Sequence, residues 1–97
     1  MRESPLIKTY ADKDTEGIAK GKKIKALAQI ERQIKRKLVY LNAAVALQDL
    51  KAPPGNRLEV LKGDRAGQYS IRINDQYRIC FRWKDGDVYD VEVTDYH

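Results

Sequence analysis

The sequence contains few of the residues that form disulfides, metal sites or membrane spans. Among its 97 residues there are one cysteine, Cys80, and one histidine, His97. One cysteine excludes an internal disulfide, and one Cys with one His cannot supply the ligands of a zinc site. The best apolar run, residues 41–47, is interrupted by Asn42 and is too short to cross a bilayer. We therefore expect a cytoplasmic protein without metal, cofactor or membrane partner.

Charged residues are abundant, and basic ones are in excess. Nineteen Lys and Arg against 14 Asp and Glu give a formal charge of +5. A basic balance favours an anionic partner, nucleic acid first. With 42% hydrophobic residues the chain has enough apolar surface for a modest core, and its length predicts a single globular domain over residues 1–97.

The first half of the chain shows a helical period. Residues 6–10 are predicted as a short strand, and residues 12–19 as one or two helical turns with Asp14 or Thr15 as N-cap. Apolar residues then recur every three or four positions, which predicts one long helix ending before Pro53. The members of this stripe are Leu27, Ile30, Ile34, Leu38, Leu41 and Val45.

The second half alternates as strands do. Residues 69–73 and 77–83 are two predicted strands joined by a turn at residues 74–76, and Asp85-Gly86 turns the chain into a third strand over residues 88–96. This order predicts an α+β fold in which the helices cover one face of an antiparallel meander. The covered face holds Ile71, Ile73, Ile79, Phe81 and Trp83, and the other face carries Ser70, Arg72, Arg78 and Arg82.

Three segments of this chain together resemble a known family. They are residues 58–73 (LEVLKGDRAGQYSIRI), the triplet Tyr77-Arg78-Ile79, and Asp95-Tyr96-His97. The chain thereby resembles the HigB-like branch of the RelE/YoeB toxin superfamily, the ribosome-dependent mRNA interferases of bacterial toxin–antitoxin pairs. The resemblance implies a RelE-like fold and a toxin that cuts mRNA in the ribosomal A site without a metal. It also implies a cognate HigA-like antitoxin with a helix-turn-helix, through which alone the toxin would be linked to operator DNA.

The resemblance also assigns roles to individual residues. Arg78 falls at the arginine that contacts the scissile phosphate, and Lys62 at a basic residue of the active site. Tyr96 and His97 match the catalytic pair at the end of the family pattern. Glu59 departs from HigB-like members that have histidine there, whereas the YoeB-like branch has a glutamate as general base. Arg72 falls at a further position that is basic in some relatives. RNA contacts are also expected at Arg65, Arg82 and Asp95, with a plain surface position as the alternative for Arg65 and Arg82.

The chemistry of RNA cleavage agrees with these roles. Attack by a 2′-hydroxyl needs a group that accepts its proton, a group that protonates the leaving 5′-oxygen, and positive charge at the phosphate. Glu59 is the candidate base, and His97 the candidate acid because histidine exchanges protons near neutral pH. The fork of Arg78 can hold two phosphate oxygens. Tyr96 could stack on a base. Strict alternation puts Tyr96 and His97 on opposite sheet faces unless the strand ends or bulges near Thr94.

Other interpretations of the same residues remain open. The arginine face could serve a non-catalytic RNA- or ribosome-binding module, or form the solvated side of the sheet, and a toxin that has lost its base is a third possibility. Glu59 and Lys62 could be a surface pair. The long helix carries basic residues that either increase solubility or contact ribosomal RNA. These are Lys22, Lys23, Lys25, Lys35, Arg36 and Lys37.

Overall fold

The computed structural model describes residues 7–52 and 54–95, so the predicted catalytic residues Tyr96 and His97 lie outside the described part. Helices α1 (Lys13–Ala19) and α2 (Glu31–Ala43) precede strands β1 (Glu59–Val60), β2 (Tyr69–Arg72), β3 (Tyr77–Lys84) and β4 (Asp87–Asp95). The strands form one antiparallel sheet in the order β1-β2-β3-β4. This confirms the predicted α+β class and the order of helices before sheet. No helix in the described ranges is long and apolar enough to cross a membrane.

The predicted long helix is shorter than its apolar period indicates. A 3₁₀ helix over Lys25–Ile30 precedes α2, and Ala44 leaves the helix with ψ 131°, well before Pro53. The Asp49 carboxylate accepts hydrogen bonds from the backbone N–H groups of Val45 and Ala46 at 2.9 and 3.0 Å, which satisfies them outside the helix. The prediction that Val45 belongs to the apolar stripe facing the core is therefore wrong, because Val45 is 68% exposed.

The first helix begins earlier than predicted. Asp12, rather than Asp14 or Thr15, is the N-cap, and its Oδ2 accepts the backbone N–H of Thr15 at 3.2 Å. Thr15 is instead buried, where its hydroxyl accepts the backbone N–H of Val93 at 2.9 Å. Residues 7–11 run parallel to β4 and pair with it through single bridges at Ile7 and Tyr10. These bridges lie where the sequence predicts the short N-terminal strand. Position 6 lies outside the described residues.

One face of the sheet meets the helices, as the alternation predicts. The central strands contribute Ile71, Ile79 and Phe81, all fully buried, and Trp83 packs against the same cluster while partly exposed. Helix α2 contributes Ile34, Leu38 and Leu41 to this core.

Strand β4 contains a bulge at Asp90. Cys80 pairs with Glu92 and Arg82 with Tyr89, so one residue of β3 faces two residues of β4, and Asp90 has a left-handed φ of 54°. The extra residue shifts the alternation, and Val88 and Val91 are therefore both buried although three positions separate them. Pairing is regular again from Glu92 to Asp95, so this bulge is not the irregularity near Thr94 that would bring Tyr96 and His97 to one face.

Candidate active site on the open sheet face

Two of the predicted catalytic residues contact each other on the sheet face away from the helices. The Nη2 atom of Arg78 lies 2.9 Å from Oε1 of Glu59. Pairing of β1 with β2 and of β2 with β3 produces this contact. Ser70 is the partner of Glu59 on one side and of Cys80 on the other, and Arg78 lies two positions from Cys80, on the same face of β3. The Glu59 side chain is 57% exposed and that of Arg78 only 11%. The carboxylate is thus open to an approaching ligand, whereas the guanidinium is nearly enclosed.

Two further groups hold the guanidinium of Arg78 in place. Its Nε donates to the hydroxyl of Ser70 at 2.7 Å, and its Nη2 donates to the backbone carbonyl of Arg57 at 2.6 Å. Ser70 has no exposed surface. Because the guanidinium is planar, contacts at two of its nitrogens fix the direction of the whole fork. The sequence placed Ser70 on this face without a role, and it gave no reason to consider Arg57.

A lysine of α2 fixes the segment that precedes β1. Lys37 Nζ donates to Asn56 Oδ1 at 2.6 Å, and the amide nitrogen of this fully buried asparagine donates to the carbonyl of Leu50 at 3.2 Å. Burial lowers the pKa of Lys37 below its usual value, and two neighbouring arginines add to the effect. Asn56 directly precedes Arg57, so this tether connects the helix to the carbonyl that holds Arg78.

The loop between β1 and β2 carries the predicted Lys62 and Arg65. Lys62 is exposed and stands just before a 3₁₀ turn, Gly63–Arg65. Arg65 Nη1 lies 2.8 Å from the Glu92 carboxylate of β4 and 3.0 Å from Gln68 Oε1. The loop therefore reaches across β2 and β3 to β4. Cys80 on β3, the strand partner of Glu92, is fully buried.

The other two predicted RNA-binding arginines are engaged with carboxylates. Arg72 pairs with Asp75 in the turn that follows β2. Arg82 Nε lies 3.2 Å from Asp90 Oδ2, at the bulge of β4. Arg82 is four residues along β3 from Arg78, about 13 Å for a strand. The structure therefore places Arg82 away from the contact between Glu59 and Arg78.

Asp95 lies on the opposite sheet face from Arg78. In the pairing of β3 with β4, Thr94 is the partner of Arg78 and Asp95 is the partner of Tyr77. Side chains of neighbouring strand positions point to opposite faces. Asp95 accepts a hydrogen bond from Gln76 Nε2 at 3.1 Å. The structure thus does not bring this predicted RNA contact to the Glu59 side of the sheet.

The described part of the site is suited to proton transfer beside a bound anion. It offers a solvent-open carboxylate, a guanidinium fixed at two edges and an exposed lysine three residues beyond the carboxylate. Within the described ranges, no three His, Cys, Asp or Glu side chains are grouped as a metal site would require.

Comparison with known proteins defines the class and then the family. The fold is similar to a chain of the YoeB–YefM complex from Staphylococcus aureus, with a TM-score of 0.59, 19% identity, and coverage of 94% of this chain and 97% of that one. This confirms the predicted RelE/YoeB-like fold. Residues 1–97 match the HigB-like toxin family, described as the RelE-like toxin of type II toxin-antitoxin system HigB. The chain belongs to this family, as its sequence pattern predicts.

Individual relatives agree with this assignment. Toxin HigB-1 of Vibrio cholerae serotype O1 is 52% identical over 59 residues, which are 61% of this chain and 62% of that protein. An uncharacterised protein of Haemophilus influenzae is 33% identical over 88 residues, 91% of this chain and 80% of its own length. Endoribonuclease HigB of Proteus vulgaris is 44% identical over 41 residues, 42% of this chain and 45% of that protein. The chain thus spans less than two thirds of the two named toxins.

Proposed function

We propose that this protein is a toxin endoribonuclease that cuts mRNA in the ribosomal A site and that a cognate antitoxin neutralises it. The observation that carries the proposal is the contact between Glu59 and Arg78, at 2.9 Å, on an open sheet face of a HigB-family chain. The Proteus vulgaris relative is named as an endoribonuclease, which supports the same activity. We place the reaction in the cytoplasm and without a metal.

In the proposed reaction, Glu59 takes the proton of the 2′-hydroxyl as this oxygen attacks the phosphorus. The bond from phosphorus to the 5′-oxygen breaks, and His97 gives its proton to that leaving oxygen. The products are a 2′,3′-cyclic phosphate and a 5′-hydroxyl, and Glu59 has gained one proton while His97 has lost one. Arg78 and Lys62 stabilise the negative charge that grows on the phosphate, and Tyr96 stacks on a base.

The nearly enclosed position of Arg78 limits how a phosphate can reach it. Only 11% of its side chain is exposed, beside the carboxylate of Glu59. We propose that a phosphate that contacts Arg78 arrives next to Glu59, whose Oε1 lies 2.9 Å from Arg78 Nη2, and that this puts the 2′-hydroxyl close to the proposed base. We propose that the ribosome orients the mRNA for this approach, because positioning supplies much of the rate of such reactions.

The proposed partners follow from family membership. A type II toxin is paired with an antitoxin, and we propose a HigA-like protein with a helix-turn-helix that links the pair to operator DNA. mRNA and the ribosome are the other proposed partners. Arg65, Arg72 and Arg82 each have a carboxylate within 4.0 Å, so they can contact RNA backbone only by sharing or leaving these pairs.

Mapping of mRNA 5′ ends in a translating extract tests the activity. The wild-type chain should produce in-frame cuts that require translation and leave 5′-hydroxyl ends, which a polynucleotide kinase labels without prior phosphatase treatment. Deletion of His97 should abolish the cuts, and Glu59→Gln should slow them by about 10²–10⁴-fold. The matched control is Lys84→Gln, an exposed residue at the far end of β3.

Each outcome selects one interpretation. Intact mRNA with a folded wild-type chain that still binds ribosomes identifies the non-catalytic binding module. Cuts that survive deletion of His97 exclude its role as acid. Cuts that are unaffected by Glu59→Gln show that another group is the base.

A further inference from the structure

Arg57 directly precedes the strand that carries Glu59, and its backbone is part of the site. Its carbonyl accepts a hydrogen bond from Arg78 Nη2 at 2.6 Å, the same nitrogen that contacts Glu59 at 2.9 Å. Its φ is 45°, in the left-handed region that residues other than glycine, Asn and Asp rarely adopt. Residues held in this region cluster at functional sites. The side chain of Arg57 is exposed.

Arg57 differs from the other arginines around the sheet in its ion pairing. Four arginines each have a carboxylate within 4.0 Å: Arg65 with Glu92, Arg72 with Asp75, Arg78 with Glu59, and Arg82 with Asp90. For Arg57 there is no such pair among the residues that the structure describes. Within that part of the chain, its charge is therefore available to an anion without the loss of an ion pair.

We propose that Arg57 is a phosphate-binding residue that contacts the RNA backbone beside the scissile phosphate. The inference rests on the proposed function, because it takes RNA as the ligand. An exposed, unpaired cation gains more from a phosphate than one already neutralised by a carboxylate, since binding releases the counterions of the nucleic acid without breaking a pair. Arg57 supplies the accessible charge that the nearly enclosed Arg78 lacks.

The competing interpretation is that Arg57 acts only through its backbone. Any residue provides the carbonyl that Arg78 requires, and glycine adopts a φ of 45° with less strain. Arg57→Gly therefore keeps the backbone contact and removes the charge. Arg57→Gln removes the charge with a similar side chain, and Arg57→Lys keeps it. Lys84→Gln is the matched control, because Lys84 is exposed, has no ion pair among the described residues and lies about 20 Å along β3 from Arg78.

The salt dependence of RNA binding is the primary measurement. The probe is a fluorescent 2′-O-methyl RNA 12-mer of mixed sequence, which cannot be cut because its 2′-oxygens are blocked. Arg57→Gln and Arg57→Gly should weaken binding roughly fivefold and lower the slope of log K against log salt by about 0.7, the value for one phosphate contact on a single strand. Arg57→Lys should restore the slope, and Lys84→Gln should leave it unchanged. Thermal unfolding of each variant shows that it is folded.

Equal slopes for wild type, Arg57→Gln and Arg57→Gly would overturn the proposal, as would a wild-type chain that binds no RNA at about 50 mM salt. Cleavage in the translating extract separates this inference from the proposed function. If the wild type cuts mRNA and Arg57→Gln cuts with unchanged KM and kcat, only the role of Arg57 fails. If the wild type cuts nothing, the nuclease proposal fails, and the salt slopes still decide whether Arg57 binds phosphate. The nuclease proposal and the role of Arg57 are both supported if the wild type cuts mRNA and Arg57→Gln raises KM more than it lowers kcat.

Discussion

Replacement of Ser70 by alanine tests how the site holds Arg78. The Ser70 hydroxyl accepts the Nε–H of Arg78 at 2.7 Å, and neither residue has more than 9% of its surface exposed. Ser70→Ala leaves a charged donor without this acceptor in a place where the vacated space is about one oxygen atom, too small for a water molecule. A hydrogen bond to a charged group contributes roughly 1.5–3 kcal/mol. We therefore expect the free energy of unfolding to fall by about 2 kcal/mol.

Urea and thermal unfolding measure this loss. For a domain of this size, 1 kcal/mol corresponds to roughly 4–8 °C in Tm, so Ser70→Ala should lower Tm by about 8–16 °C. A double-mutant cycle isolates the contact. In an Arg78→Met background the donor is gone, and Ser70→Ala should cost at least about 1 kcal/mol less than in the wild type. Equal costs in both backgrounds, or a wild-type cost below about 0.5 kcal/mol, would show that this hydrogen bond does not stabilise the fold.

The same variant has a consequence for activity. At about 20 °C, where the variant should still be folded, Ser70→Ala should slow mRNA cleavage by about tenfold or more, because a loosely held guanidinium no longer meets the phosphate in one orientation. A normal cleavage rate in a clearly destabilised variant would show that Ser70 serves the fold and not the proposed reaction.

Two further predictions concern charges on α2. Lys37→Met should lower the free energy of unfolding by about 1–3 kcal/mol, because it leaves Oδ1 of the buried Asn56 without the Lys37 donor. In the control Lys35→Met, the free energy of unfolding should differ from that of the wild type by at most about 0.5 kcal/mol. Urea unfolding measures both values. The Lys23 and Lys35 ammonium groups hold the pKa of Glu31 below its ordinary value. NMR titration of Lys35→Met should therefore show a higher pKa for Glu31 than in the wild type, and an unchanged pKa would contradict this cause. Because the folded pKa is lowered, this stabilisation is present above the ordinary carboxyl pKa and is lost as pH falls through the folded value.

Local patterns were sufficient for the elements that depend on near neighbours. The turn at residues 74–76 forms because the Asn74 side chain accepts the backbone N–H groups of Gln76 and Tyr77, both at 2.8 Å. The Asp85-Gly86 hairpin forms with φ values of 52° and 85°, which these residue types tolerate. In the helix, by contrast, the apolar period continued to Val45 although α2 ends at Ala43.

The α+β class, the buried sheet face and the family of the chain can be read from its amino-acid sequence, because apolar period, turn chemistry and motif spacing are local or linear properties. The sequence also predicted Glu59 and Arg78 for one site, where the tertiary structure brings them into contact. The groups that hold Arg78, and the arginines that pair with carboxylates, are set by tertiary contacts. The carbonyl of Arg57 and the hydroxyl of Ser70 are 21 and 8 positions from Arg78 along the chain. Strand pairing brings Ser70 to Arg78, and the tether from Lys37 to Asn56 holds the segment of Arg57, so no local pattern of residues encodes these contacts.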